Sequence, residues 1–223
     1  LFFMHIAILG AGIIGVTTAY ELAADGHQVT VFERHASVAE GASFANAGVV
    51  APGYVTPWAA PGMPVKVLRH LLARHAPVRV RRPLAAADVA WMRRWHAACE
   101  PARYAANRAR MQRLAFYSRH RLNEVAARMA YDFDRTTGYM VLLRGAKDQH
   151  LVQPGLALLR ELGVPFHEIS ADEARQLEPA LHPHTPLAGA IHLPQDEVGN
   201  CRQFAVILRD AAEQLGARFV FNT

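Results

Sequence analysis

The chain has 223 residues, of which 52% are hydrophobic and 19% are charged, and its formal net charge is +5. This composition excludes an intrinsically disordered chain, which combines low hydrophobicity with high net charge, and two cysteines are too few for a disulfide-stapled miniprotein. The charge is uneven, because 15 Lys or Arg but only 3 Asp or Glu lie between Lys66 and Arg128. We favour a solvated Arg-rich helical surface there, and contact with an anionic membrane is the alternative.

The sequence also limits the cellular setting and the partners. It contains no apolar run of about 18 residues, and its start lacks the features of a secretory signal. We therefore expect a cytoplasmic protein, peripheral on the inner face of the plasma membrane if the basic segment binds lipid. No metal-ligand spacing and no nucleic-acid motif occurs, so we predict no metal and no nucleic-acid partner. Because Leu1-Phe2-Phe3 precede Met4 and the chain stops just after a strand-like run, we expect a fragment.

The first 33 residues have the pattern of a β-α-β unit. Residues 5–9 form a β-branched apolar run that predicts a buried strand, and 13–24 have the spacing of a helix. Residues 28–33 alternate, which predicts a second strand with Val29 and Val31 facing the core. A unit of this length normally joins two parallel strands.

The rest of the chain predicts a long loop, then helices, then alternating strands and helices. Residues 35–62 are rich in Gly, Ala, Ser and Pro and have no period, which is typical of a functional loop. Helices are predicted over 64–72, 84–98 and 102–130. The last has apolar positions in steps of three or four, at Met111, Leu114, Ser118, Leu122, Val125 and Met129. Four further strands are predicted, over 139–143, 164–169, 187–193 and 218–221. Three helices lie between them, over 151–162, 171–177 and 202–215. Ser170 and Glu173 are spaced as a capping box at the start of the second of these helices.

Between the first predicted strand and helix lies Gly10-Ala11-Gly12-Ile13-Ile14-Gly15, a GxGxxG motif. Gly10 permits a tight turn, Gly12 lets a pyrophosphate approach the backbone, and Gly15 permits close helix–strand packing. The N-terminus of the helix favours an anion. Glu33 ends the second strand, where its carboxylate can accept hydrogen bonds from both ribose hydroxyls and would repel the 2′-phosphate of NADP. The sequence therefore predicts a dinucleotide site.

The motif does not distinguish FAD from NAD, but the segment that follows favours FAD. Residues 41–48 and Pro52-Gly53-Tyr54 form a small-residue loop that can pass close to a flat ring system and donate backbone N–H groups to it. An NAD enzyme would continue with further β-α units, whereas this chain continues into Arg-rich helices. An NAD-linked dehydrogenase is the alternative.

These residues resemble those of a known family. Residues 6–33, 43–48 and 57–62 are similar to the D-amino-acid dehydrogenase small subunit, within the wider FAD-dependent D-amino-acid oxidase and glycine oxidase superfamily. The later segments 137–139, 177–181 and 194–202 agree with it. The predicted fold class is α/β, and α+β for the chain overall. It consists of a Rossmann-like FAD-binding domain and a partial substrate domain that contains an antiparallel sheet and Arg-rich helices. We expect 4–62 to begin the FAD-binding domain, 63–200 to form the incomplete helical and substrate domain, and 201–223 to return to the first.

The resemblance implies an activity in bacterial D-alanine catabolism. The expected reaction is FAD-dependent oxidative deamination of D-amino acids, such as D-alanine, to a 2-oxo acid and ammonia. A hydride would pass from the substrate to the flavin, and the electrons would reach a quinone of the respiratory chain. The alternatives are a glycine- or sarcosine-oxidase-like enzyme and a non-catalytic flavin-binding module that needs a second chain.

The resemblance also assigns cofactor contacts. Gly10, Gly12 and Gly15 would hold the pyrophosphate, Glu33 the ribose, and Arg34 would lie beside the adenosine. The loop residues expected to line the diphosphate and the flavin edge are Ser43, Asn46, Ala47 and Gly48. The predicted set is completed by Ile8, Ala11, Ile13 and Ile14. We predict no catalytic residue, because the family's substrate-clamping Arg and Tyr come from a later half. Asn200 stands where the family commonly has Asp, and it can still cap the following helix.

Overall fold

The computed structural model describes residues 3–71, 83–129 and 132–223, so the predicted helix ends at Leu72 and Ala130 lie outside the described residues. The described chain divides into two compact units, Leu1–Ala51 with Arg128–Thr223, and Pro52–Ala127. Compactness does not show which residues bind a cofactor or a substrate. The domain boundaries expected from the sequence, 4–62, 63–200 and 201–223, therefore stay predictions.

The elements follow one another along the described chain in an order close to that predicted. They are β1 (His5–Leu9), α1 (Ile13–Ala24), β2 (Gln28–Phe32), β3 (Val49–Val50), a 3₁₀ turn (Pro52–Tyr54), α2 (Met63–Leu71), α3 (Ala86–Ala98), α4 (Pro101–Arg128), β4 (Thr136–Leu143), α5 (Ala146–Glu161), β5 (His167–Ile169), α6 (Ala171–Leu177), β6 (Gly189–Val198), α7 (Cys201–Gln214) and β7 (Arg218–Val220).

Within the described residues, β1, β2 and β7 form a parallel sheet with β2 in the middle. Val29 and Val31 of β2 are buried, as the alternating pattern predicts. Helices α1 and α7 pack against each other, and both contribute buried side chains such as Val16 and Leu208. The predicted β-α-β unit is confirmed, and β7 is a third parallel strand. The prediction that residues 5–9 are a buried strand is wrong, because no residue of β1 is buried and Leu9, which lines the groove at the strand end, is 86% exposed.

The second sheet is antiparallel and is organised around β6. This strand pairs with β3, β4 and β5, so its residues have partners on both edges. A cluster of buried side chains lies between this sheet and α5: Leu143, Leu156, Leu159, Ile191 and Leu193. The parallel and antiparallel sheets together confirm the predicted fold class.

Strand β6 continues to Val198, well past its predicted end at 193. The predicted strand is too short because most of the added residues are polar and do not have the pattern of a buried strand. Asp196 and Glu197 are nevertheless buried. The guanidinium of Arg135 donates to the Glu197 carboxylate at 2.7 Å, which compensates the burial of that charge. The hydropathy pattern therefore does not indicate this part of the strand, because the residue that compensates the buried charge of Glu197 lies 62 positions away in the sequence.

Helix caps were predicted correctly from local spacing. The backbone N–H of Glu173 donates to Ser170 Oγ at 3.2 Å, and that of Ser170 donates to Glu173 Oε2 at 2.7 Å, which is the reciprocal capping box. The hydrogen bond from the Ser170 N–H to the carboxylate, and then one from the Ser170 hydroxyl, lower the pKa of Glu173. Asn200 caps α7 by accepting a hydrogen bond from the Gln203 N–H at 3.1 Å, so the amide fulfils the capping role expected of it.

The long helix α4 does not bury the face that its apolar spacing predicts. Val125 is buried as expected, but Met111 is exposed and Leu114 is 68% exposed. Arg108 and Gln112 are buried instead, with Arg108 only 6% exposed. The predicted helix is therefore confirmed, but in its first half the buried positions are long polar side chains and not the apolar ones. Across the described segments, none of the helices has the length and hydropathy needed to span a membrane.

Candidate dinucleotide site

The turn between β1 and α1 requires glycine at two positions. Gly10 has a φ of +97°, and its N–H donates to the Phe32 carbonyl of the neighbouring strand at 2.8 Å. A Cβ on Gly15 would lie 1.9 Å from the Gly10 carbonyl oxygen and 3.5 Å from Ile8 Cγ2. The first glycine is therefore required by its backbone conformation, and the last by close contact of α1 with the turn.

Gly12 is different, because the protein itself has room for a side chain there. It is the N-cap of α1, and a Cβ on it would make only an ordinary contact with Ser43 Oγ, at 3.4 Å. The cap hydrogen bond comes from Ser43, whose Oγ accepts from the Ile13 N–H at 3.0 Å. The N-terminus of α1 therefore borders open space, which is the arrangement that lets an anionic group approach the backbone.

The Glu33 carboxylate ties this turn to the end of β2. One oxygen accepts from the Ala11 N–H at 2.6 Å and the other from the His35 N–H at 2.9 Å. The side chain is only 8% exposed. Burial by itself would raise the pKa of Glu33, but the hydrogen bonds from Ala11 and His35, and then the charges of His35 and Arg34, outweigh it, so the pKa lies below its usual 4.5. Glu33 is therefore held as a carboxylate.

The chain after β2 folds back over the start of α1. Ala39 is buried with a φ of +59°, and its N–H donates to the Ala11 carbonyl at 2.9 Å. Further along, the Glu40 carboxylate pairs with the Arg202 guanidinium at 2.9 Å. That guanidinium also lies over the Phe44 ring, 4.4 Å from its centroid. These contacts place Ser43 beside the helix N-terminus.

The result is a groove of about 580 Å³ at the carboxyl ends of the parallel strands. Five predicted residues meet there, namely Gly10, Gly12, Glu33, Arg34 and Ser43. Gly41 and Ala42, which belong to the loop predicted to pass close to the cofactor, also line the groove. Sequence reasoning missed the other lining residues, which are Leu9, Phe32, His35, Glu40 and Thr223. Leu9 and Phe32 end their strands, so the rule that ligands bind outside the carboxyl ends of parallel strands could have identified them.

Other predicted residues lie around this groove or away from it. Ala11 and Ile13 contribute backbone N–H groups to the bonds above, Ile8 lies under Gly15, and Ile14 is exposed on α1. Asn46 lines a separate cavity of about 350 Å³. Their contacts with a cofactor stay predictions.

The turn at Asn46–Gly48 has a structural explanation of its own. Asn46 Oδ1 accepts from the Gly48 N–H at 2.9 Å, Ala47 between them is exposed, and a Cβ on Gly48 would lie 1.9 Å from the Gly199 carbonyl oxygen. Glycine at 48 is therefore needed where the loop meets the end of β6. In the segments 3–71, 83–129 and 132–223, no group of three or more His, Cys, Asp or Glu side chains is arranged to hold a metal.

Comparison with known proteins places these features in one family. Residues 5–223 match the family described as DAO, FAD dependent oxidoreductase. A D-amino acid dehydrogenase of Azorhizobium caulinodans is 44% identical over 221 residues, which are 98% of this chain and 53% of that protein. The chain thus spans about half the length of this relative.

Solved structures agree at the level of the fold. Glycine oxidase from Geobacillus kaustophilus has a TM-score of 0.60 at 22% identity, covering 97% of this chain and 46% of that one. Glycine oxidase from Bacillus cereus has a TM-score of 0.63 at 18% identity, covering 100% and 46%. At these identities the likeness concerns the fold alone.

The close contact at Gly15 predicts a sharp loss of stability on substitution. In Gly15→Ala the new Cβ would overlap the Gly10 carbonyl, so the turn must shift, at a cost of about 1–3 kcal/mol in the free energy of unfolding. Gly155→Ala in α5 is the matched control, because a Cβ there meets nothing within 4 Å, and helix propensity favours Ala. Denaturant unfolding measures both. A Gly15→Ala protein as stable as the parent would contradict the described turn.

The lowered pKa of Glu33 predicts a pH-dependent contribution to stability. At pH 7, Glu33→Gln should lower the free energy of unfolding by about 1.5–3 kcal/mol, because the amide nitrogen of Gln cannot accept one of the two backbone hydrogen bonds and the remaining bond loses its charged acceptor. Since the pKa is lower in the folded state, this contribution is present above pH 4.5 and disappears as the pH falls through the folded value. Unfolding of parent and variant from pH 7 to pH 3 should converge, with exposed Glu161→Gln as the control. A constant difference would show that Glu33 is not held as a carboxylate.

Proposed function

The chain belongs to the DAO family of FAD-dependent oxidoreductases, and from this premise we propose that the whole protein is a D-amino acid dehydrogenase. The observation that carries the proposal is 44% identity with such an enzyme over 98% of this chain. The family membership also favours FAD over NAD as the ligand of the groove. Glycine-oxidase-like activity is the second candidate, because the matched family is defined as FAD-dependent oxidoreductases and does not itself select the amine that is oxidised.

The groove fits the adenosine diphosphate part of FAD. Gly12 leaves open space at the N-terminus of α1, where N–H groups and the helix dipole stabilise a diphosphate. The Glu33 carboxylate lines the same groove, and each of its oxygens has a second lone pair with which to accept from a ribose hydroxyl. Arg34 lines the groove beside it. These are this chain's contributions to binding and orientation.

When bound, FAD supplies the acceptor for the hydride that leaves the substrate Cα. The amino group loses a proton in the same oxidation, and hydrolysis of the resulting imino acid gives the 2-oxo acid and ammonia. None of the described residues has a proposed catalytic role, and the proposed part of this chain in the reaction is to hold and orient the cofactor.

Anaerobic flavin reduction tests the proposed activity. Loaded with FAD, the protein should show flavin absorbance that D-alanine bleaches and L-alanine does not. Bleaching by glycine and not by D-alanine would favour the glycine-oxidase-like candidate. FAD binding without bleaching by either amino acid would contradict the dehydrogenase and favour a flavin-binding module that requires a second chain.

We further propose that electrons leave to a quinone of the respiratory chain, and that the protein lies in the cytoplasm against the inner face of the plasma membrane. Helix α2 supports the membrane location. None of the residues Met63–Leu71 is buried, and Leu68 is 62% exposed beside exposed Val65. Lys66 and Arg69 lie on the same helix. An amphipathic helix that joins exposed apolar and basic side chains suits an anionic lipid surface.

Vesicle binding tests the membrane proposal. The protein should bind vesicles containing anionic lipid and dissociate as salt increases, because each basic residue contributes about 1 kcal/mol and is screened. Lys66→Gln/Arg69→Gln should then weaken binding about 30-fold. The matched control is Arg144→Gln/Lys147→Gln, which removes two exposed charges from the other unit. Equal binding to neutral vesicles would contradict the proposal.

A further inference from the structure

Arg202 occupies a position where a cation is normally unfavourable. It is the second residue of α7, and the partial positive charge of a helix N-terminus disfavours a basic side chain in the first turn. The first three residues, Cys201-Arg202-Gln203, include no acid that would compensate it. The compensation comes from the Glu40 carboxylate, which lies 2.9 Å from the guanidinium although it is 162 positions away in the sequence.

Glu40 itself lies in an unfavourable place for the proposed ligand. Its side chain lines the groove that also contains the N-terminus of α1. A free carboxylate there would repel a diphosphate, since both are anionic. The ion pair with Arg202 offsets this charge with a cation 2.9 Å away.

Arg202 also fixes the other end of the short loop 40–44. Its guanidinium lies over the Phe44 ring at 4.4 Å, which is within the range of a cation–π contact. Ser43, between the two contacted residues, accepts the hydrogen bond from the Ile13 N–H at 3.0 Å. One side chain therefore holds both ends of the loop that caps α1.

We propose that Arg202 is a positioning residue for the cofactor: it neutralises Glu40 and holds the 40–44 loop so that the groove accepts the diphosphate of FAD. This inference rests on the proposed function, because it takes FAD as the ligand of the groove. Arg202 acts through Glu40 and Phe44, without contacting the cofactor itself.

The two partners of the ion pair should have opposite effects on FAD affinity, measured by quenching of flavin fluorescence. Arg202→Met leaves the Glu40 charge uncompensated and should weaken FAD binding about two- to fivefold. Glu40→Gln removes the repulsive charge and should tighten it about threefold. The double variant should bind within about twofold of the parent. In 1 M salt, where the Debye length is about 3 Å, the loss in Arg202→Met should largely disappear.

Arg209→Met is the matched control, because Arg209 lies on the same helix and pairs with Asp210 and Glu213. It should leave FAD affinity unchanged. If Glu40→Gln weakens binding or does not tighten it, or if the double variant is as weak as Arg202→Met, charge compensation is refuted and the pair is only a structural tether. An unaffected Arg202→Met also overturns the inference. A parent protein that binds no FAD contradicts the proposed function instead.

Discussion

The candidate site depends on one buried carboxylate that accepts two backbone hydrogen bonds. Glu33 binds the N–H of Ala11 in the β1–α1 turn and the N–H of His35 beyond β2, so it fixes the glycine turn relative to the end of the second strand. The backbone N–H of the same residue donates to the Val220 carbonyl of β7 at 2.9 Å. The groove floor is therefore set by contacts that converge on Glu33. Because those bonds keep the carboxylate ionised, the anchor is also the residue suited to accept ribose hydroxyls.

Local features of the fold were predictable from the sequence, because they depend on residues a few positions apart. The β-α-β unit, the Ser170–Glu173 capping box and the Asn200 cap are of this kind, and the turn at Gly10 follows from glycine's access to positive φ. Contacts between distant residues were not predictable. Ser43 caps α1 from 30 positions away, and Arg202 reaches Glu40 from 162 away. Nothing in the spacing of these residues indicates that they meet.

Buried polar groups account for the errors in the sequence interpretation. Asp196 and Glu197 continue a strand that a hydrophobic pattern would end, and Arg108 lies inward on a helix whose apolar spacing points elsewhere. Hydropathy patterns assume that charge faces solvent, and the Arg135–Glu197 ion pair and the buried Arg108 break that assumption. In the groove, Glu40 lines the proposed path of a diphosphate, so its ion pair with Arg202 helps to make the site suitable for an anion.

We propose that the cofactor is held through its diphosphate at the N-terminus of α1. Calorimetric titration with FAD, ADP and riboflavin tests this claim directly, because ADP contains the diphosphate without the flavin and riboflavin contains the flavin without the diphosphate. We predict that ADP binds and competes with FAD, and that riboflavin binds far more weakly than either. Riboflavin binding as tight as that of FAD, together with no competition from ADP, would contradict it.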